Sequence, residues 1–176
     1  MKIMFVCSGN ICRSPLAHRM LEQQAKQRGL AKNLTVESSG TGAWHVGQDA
    51  DPRMRKTAAA HGLTLHHPAQ MIERTDLFDY DVLFAMDRGH YRQIRTMART
   101  TGRTAGRSAS DDELSGRLYV FRQFDPAVAG DGIVPPEDAP DVPDPYYGGT
   151  DGFEEVYRIV ERTCARILDE IVVGRQ

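Results

Sequence analysis

The segment Val6-Cys7-Ser8-Gly9-Asn10-Ile11-Cys12-Arg13-Ser14-Pro15 places a nucleophile beside groups that could activate it. Lys2 to Val6 is a short apolar run and reads as a buried strand. Ser14-Pro15 reads as the start of a helix, with Ser14 at the N-cap and Pro15 next. A loop between strand and helix is where an open α/β sheet binds ligands. Successive amide N–H groups there can converge on one point, and the helix N-terminus adds positive potential, so an anion is favoured. Gly9 allows backbone geometry closed to other residues. The thiolate is the nucleophilic form of cysteine, and a helix N-terminus lowers a thiol's pKa. Arg13 offers phosphate oxygens a planar fork of donors, and Ser14 offers the sulfur a hydroxyl. These are the parts that phosphoryl transfer to a thiol needs. A plainer reading makes Cys7 a buried packing residue and Arg13 a surface side chain. A nucleotide-binding P-loop is excluded, because Gly9 lacks the partner Gly-Lys-Ser/Thr.

Other elements must hold this loop in place. Leu16, Met20, Leu21 and Ala25 form a helical stripe that ends at Gly29. Leu34 to Glu37 reads as a second strand. Asp51-Pro52 caps a helix through Ala60 that stops at Gly62. Val82 to Met86 reads as a buried strand, and Asp87 caps a helix to about Arg99. Thr100 to Gly116 is polar and rich in Gly, Ser and Thr, which predicts a mobile loop. Leu118 to Phe121 reads as a fourth strand, and the five prolines between Gly130 and Gly149 predict loop. Phe153, Val156, Tyr157, Val160, Cys164, Ile167, Leu168 and Ile171 recur at helical spacing, which puts Cys164 in the core. Asp151 and Glu154 resemble a capping box at the start of that helix. Strands alternating with helices predict an α/β fold: one three-layer αβα domain over 1–176, with a central four-stranded, mostly parallel sheet.

Composition bounds the function. The 176 residues are 40% hydrophobic and 26% charged, an ordinary globular mix. A formal charge of −2 argues against a dedicated nucleic-acid partner. No apolar run is long enough for a membrane span, and the apolar start is too short for a secretion signal. Three cysteines do not make a disulfide framework, and no Cys/His cluster suggests a metal site. A reducing, cytoplasmic setting is the expectation. The charge is segregated. Eight arginines lie between Arg88 and Arg122, and nine carboxylates with no Lys or Arg lie between Asp125 and Glu155.

Protonating the oxygen that departs in a phosphoryl transfer calls for a carboxylic acid, worth about 10²–10⁴-fold in rate. Aspartate before proline is held extended and out of a helix, and it occurs at Asp51, Asp125 and Asp144. Asp51 is better used as a cap. Local physics does not separate Asp125 from Asp144.

The segment from Cys7 to Pro15 resembles the phosphate-binding loop of the low molecular weight protein tyrosine phosphatases: Cys, five residues, then Arg-Ser near the N-terminus, with Gly-Asn and a second Cys inside. Ser39-Gly40-Thr41, Trp44-His45-Val46-Gly47, Asp51-Pro52-Arg53, His61-Gly62, Met86-Asp87, Asp144-Pro145-Tyr146-Tyr147-Gly148 and Phe153-Glu154-Glu155-Val156-Tyr157 are similar to further stretches of that family. Thr100 to Gly116 matches poorly. The resemblance implies a phosphatase working without cofactor or metal. Cys7 is the implied nucleophile, Arg13 the phosphate clamp, and Asp144 rather than Asp125 the general acid and base. It implies phosphate or substrate contacts from Ser8, Gly9, Asn10, Ile11, Cys12, Ser14, Trp44 and Tyr146, and support from Ser39 and His67 behind the loop. It implies that Cys12 shelters Cys7 from over-oxidation. The partners implied are phosphotyrosine-containing proteins, with a tyrosine kinase acting on Tyr146 or Tyr147, and the chain a monomer or weak dimer. Two rivals share the fold. Arsenate reductases relay oxidation through mid-chain cysteines, and none lies between Arg13 and Thr163. Protein-arginine phosphatases carry threonine where this chain has Ile11. A non-catalytic phosphotyrosine-binding module would lack Cys7, Arg13 or Asp144, and all three are present.

Overall fold

The computed structural model describes residues 1–105 and 114–174. In chain order the elements are β1 (Lys2–Cys7), α1 (Arg13–Gln27), β2 (Thr35–Gly40), α2 (Pro52–Ala60), α3 (Asp76–Asp79), β3 (Val82–Ala85), α4 (Arg88–Ala105), β4 (Leu118–Val120), α5 (Pro126–Ala129) and α6 (Thr150–Ile167). The four strands lie in the order β2-β1-β3-β4, and every pair is parallel. Strands covered on both faces read as unbroken apolar runs, which is why Ile3 to Val6 and Val82 to Ala85 lack alternation. Side chains still alternate between faces. Ile3, Phe5 and Cys7 join the core under α1, α2 and α6, whereas Met4 and Val6 join Ile94 and Ala98 of α4 on the other side. Register sets Cys7 opposite Gly40 at the C-terminal end of the central strand.

Several boundaries differ from the sequence expectation. Helix α1 starts at Arg13, so Ser14 lies inside its first turn and caps nothing. Its hydroxyl is instead 2.9 Å from Cys7 Sγ. Strand β2 continues to Gly40 because Ser38 and Ser39 are buried and paired beside β1. Strand β4 stops at Val120 and gives way to a 3₁₀ turn, Phe121–Phe124. Helix α4 continues past Arg99 to Ala105. Threonine and glycine cost at most about 1 kcal/mol each in a helix, too little to end one under way. Of the rest of the expected Thr100–Gly116 loop, residues 106–113 lie outside the described residues, and Leu114 is buried. The Asp151–Glu154 box does not form, since Gly149 holds the N-cap position of α6 and Glu154 meets His61 at 3.0 Å. Past Ile167 the chain winds as a π-helix, Leu168–Val173, which keeps Leu168, Ile171 and Val172 buried. No helix of the described residues is long and apolar enough to cross a membrane.

Asp125 is a structural anchor. It is fully buried and caps α5 through Ala127 N at 3.0 Å. Arg162 binds it with two bonds, 2.6 and 2.9 Å, and Arg122 with one of 2.9 Å. Burial pushes its pKa up, but these bonds outweigh burial and the net shift is downward. Removing one partner of a buried ion pair strands the other. Asp125→Ala should therefore destabilise the fold by about 3 kcal/mol in denaturant titrations while turnover of the folded fraction stays unchanged. A turnover defect at full stability would make Asp125 part of the chemistry.

Candidate active site

The loop between β1 and α1 is held in an unusual shape from behind. Among the described residues, Asn10 is the one non-glycine at positive φ, +56°. Such a conformation costs about 1–3 kcal/mol and needs compensation. Four side-chain bonds supply it. Asn10 Nδ2 donates to Ser14 Oγ at 2.8 Å and to Ser38 Oγ at 3.0 Å. Its Oδ1 accepts from Gln70 N at 2.9 Å and from His67 Nε2 at 2.7 Å. His67 is buried, and burial together with the nearby His18 and Arg19 lowers its pKa to about 4. It is therefore neutral near pH 7. The backbone freedom assigned to Gly9 lies at Asn10 instead. A Cβ at Gly9 would stand 2.8 Å from His45 Cδ2, so a side chain there would have to displace that ring. Gly40 is more tightly constrained, since a Cβ would meet the Ser8 carbonyl oxygen at 2.6 Å.

In front of the loop is a cavity of about 410 Å³. Cys7, Ser8, Gly9, Ile11, Cys12 and Arg13 line it from the loop, and Trp44, His45, Asp144, Tyr146 and Tyr147 from the surrounding segments. Asn10 and Ser14 do not line it. Their side chains support the loop from the far side. Ser14 Oγ accepts from Asn10, which leaves its own proton for Cys7 Sγ at 2.9 Å or the Ser39 carbonyl at 3.3 Å. The shorter contact is the one to sulfur.

Arg13 is only 4% exposed, and four acceptors meet its guanidinium. Nη1 donates to Asp87 Oδ2 and to the Val142 carbonyl, each at 3.1 Å. Nη2 donates to Asp144 Oδ2 at 2.9 Å and to Ser8 Oγ at 3.3 Å. Asp144 sits at the cavity edge, and its other oxygen accepts from Tyr146 N at 3.1 Å. Thiol, guanidinium and carboxyl therefore meet in one cleft at the C-terminal end of a parallel sheet. An anion bound there would face the loop amides, the start of α1 and Arg13 together.

The whole chain compares accordingly. Residues 2–175 match the family model described as low molecular weight phosphotyrosine protein phosphatase. The chain belongs to that family. A low molecular weight protein-tyrosine-phosphatase of Streptomyces coelicolor is 38% identical over 167 residues, 95% of this chain and 91% of the relative. The crystal structure of a protein tyrosine phosphatase from Entamoeba histolytica, with Hepes in its active site, superposes with a TM-score of 0.81 at 29% identity, covering 100% of this chain and 99% of the other. A structure described as a Drosophila arginine phosphatase superposes with a TM-score of 0.78 at 27% identity, covering 97% of each chain.

Against the family expectation, Ser39 reaches the loop only through its carbonyl. Its hydroxyl points to Met4 Sδ at 3.1 Å. Ser38 bonds Asn10 and His67 instead, because adjacent strand residues face opposite sides of the sheet. Trp44 is 71% exposed and leans over Gly42, where a Cβ would stand 2.0 Å from the indole. All three cysteines are free thiols. Burial, with Asp51 close by, pushes the Cys12 thiol pKa far up, and Cys164 is wholly buried. Asp87, Arg53 and His45 also stand at the site, beyond the residues that the sequence marks out. Asp87 was read only as a cap, which it is (His90 N, 2.7 Å), but it also holds Arg13. Arg53 bonds the Tyr146 carbonyl at 3.1 Å, and its guanidinium lies 5.3 Å above the Tyr146 ring. His45 had a signal in the Trp44-His45 dipeptide.

Two buried histidines set a pH dependence. Burial lowers both His67 and His90 to about 4, against 6.5 for a free imidazole. Between those values the unfolded chain binds protons that the folded chain refuses, so stability falls as pH drops through that window. The melting temperature should fall between about pH 7 and about pH 5, and less so in a His67→Gln/His90→Gln chain. An undiminished drop in that variant would assign the effect to other groups.

Proposed function

We propose that the chain hydrolyses phosphotyrosine in proteins through a phosphocysteine intermediate. The observation that carries this reading is the meeting of Cys7, Arg13 and Asp144 in one cavity, with Arg13 Nη2 2.9 Å from Asp144 Oδ2. The incoming phosphoryl group takes the Arg13 fork away from Asp144 and accepts from the loop amides. Cys7 thiolate attacks phosphorus, and the bond from phosphorus to the tyrosine oxygen breaks. Asp144, in its acid form, gives that oxygen its proton. Water then attacks the phosphocysteine, Asp144 takes the water's proton, and the P–S bond breaks to return thiolate and inorganic phosphate. Ser14 Oγ, 2.9 Å from the sulfur, favours the thiolate in both steps. Preorganised donors of this kind are worth the most where charge develops in a dry site.

The aromatic groups Trp44 and Tyr146 beside the cavity suit an aryl ring. Protein-arginine phosphatase is the competing reading, and the Drosophila neighbour keeps it open. Ile11 in the cavity lining, where relatives of that specificity carry a hydroxyl, supports tyrosine. Free thiols fit a reducing compartment such as the cytoplasm, and the position of Cys12 in the same loop fits a redox guard for Cys7. Tyr147, 90% exposed, is accessible to a tyrosine kinase.

Cys7→Ser should abolish turnover while inorganic phosphate still binds. Wild-type turnover in that variant would end the cysteine mechanism. Asp144→Ala should slow phosphotyrosine peptides about 10²-fold or more, but spare aryl phosphates whose leaving groups need no proton. Equal losses on both would move the acid elsewhere. A panel of phosphotyrosine, phosphoarginine and phosphoserine peptides, with arsenate as control, separates the readings of specificity.

A further inference from the structure

His90 lies in the first turn of α4, is 4% exposed and does not line the cavity, yet it reaches the phosphate loop. Its Nε2 is 2.8 Å from Ser8 Oγ. Its Nδ1 is 3.0 Å from Asp87 Oδ1, off the line of a directed hydrogen bond but inside the carboxylate's field. Asp87 Oδ2 in turn accepts from Arg13 Nη1 at 3.1 Å, and Arg13 Nη2 donates to Ser8 Oγ at 3.3 Å. Four side chains thus form a closed circuit: Ser8, His90, Asp87, Arg13 and back to Ser8. We infer that His90 is a positioning residue for phosphate recognition, locking the Ser8 hydroxyl so that Ser8 holds the Arg13 fork in place.

The field of Asp87 beside Nδ1 selects one arrangement of donors and acceptors in the circuit. Burial keeps the imidazole neutral near pH 7, against the opposing pull of Asp87. The carboxylate beside Nδ1 favours the proton on that nitrogen, so Nε2 is the acceptor and Ser8 must donate to it. The Ser8 oxygen then has its lone pairs free for Arg13 Nη2. Without His90 the hydroxyl can rotate, and its proton competes for the space the Arg13 N–H occupies. When substrate draws Arg13 away from Asp144, Asp87 and the Val142 carbonyl still hold Nη1, and Ser8 is the contact left on Nη2 to fix the guanidinium plane. Recognition of three phosphate oxygens by a planar fork depends on that orientation.

The inference rests on the reading of this loop as a phosphate site, and a double-mutant cycle tests it. Wild type, Ser8→Ala, His90→Ala and the double variant are compared in inorganic phosphate affinity by calorimetry, and in kcat and KM on p-nitrophenyl phosphate. His90→Ala should weaken phosphate binding and lower kcat/KM by about tenfold, the scale of one lost hydrogen bond. Ser8→Ala should do the same, and the double variant should lose no more than either single change. His90→Gln, which places an amide near Nε2, should recover most of the loss. If His90→Ala does not fold, His90→Phe keeps a ring there without nitrogens and takes its place in the cycle. Losses that multiply in the double variant, or a His90→Ala chain (His90→Phe where that one does not fold) within twofold of wild type, would overturn the inference. A chain that binds phosphate but hydrolyses no ester would end the proposed reaction, while the binding cycle would still decide the part played by His90. Absence of phosphate binding in the wild type would overturn both.

Discussion

A guanidinium taken out of water must have its donors met, or the fold loses several kcal/mol. Arg13 is 4% exposed and draws its acceptors from distant parts of the chain: Ser8 in the loop, Asp87 after β3, and Val142 and Asp144 before α6. Backbone bonds join the same segments, from Val142 N to the Met86 carbonyl and from Met86 N to the Val6 carbonyl, each at 2.9 Å. The parallel sheet brings the ends of β1 and β3 side by side, and the proline-rich segment after α5 closes over them. Burying Arg13 therefore ties the sheet, the loop and the acid-bearing segment into one unit. The same bonds aim its fork into the cavity.

The loop meets a second constraint from below. Its amides can converge only if one residue takes a left-handed conformation, and here that residue is asparagine rather than glycine. The difference matters, because glycine would tolerate the turn but hold nothing. Asn10 carries a side chain that is bonded on four sides and so fixes the loop it bends. Ser14 is drawn into the same scaffold, which is why it serves sulfur and not the start of its own helix. Gly40, on the neighbouring strand, lets the loop lie directly on the β2 backbone.

The sheet and most of its helices were legible because burial on both faces and cap-then-proline pairs are local signals. Asp51-Pro52 shows this well: the sequence places the cap, and Asp51 accepts from Arg53 N at 2.8 Å. Cys7, Arg13 and their loop were legible because seven consecutive residues contain the chemistry. Asp144 was not legible from local physics, since Asp125 carries the same dipeptide. Burial against Arg162 separates the two, and that contact spans 37 residues. His90 and Ser38 were hidden for a similar reason. Each is an ordinary polar residue until strand register brings it against the loop. The C-terminal end of α4 and the start of α6 differ from the expectation because a weak propensity and a lone acidic pair do not carry the tertiary contacts that set them.

The charge segregation along the chain has a different meaning in space. The basic stretch and the acidic stretch meet each other: Arg88 pairs with Asp141 at 3.3 Å, and Arg122 binds both Asp125 and the Asp141 carbonyl. Within the acidic stretch, Asp144 is taken by Arg13, and Glu154 by His61 and Arg158. Much of the apparent block of carboxylates is thus neutralised by cations from elsewhere in the chain. An arriving phosphate dianion would then be drawn less by net charge than by a few fixed donors, namely the loop amides, the start of α1 and one guanidinium. Fixed donors at short range are also the ones least weakened by salt. That explains how a chain with a formal charge of −2 can present an anion site at all.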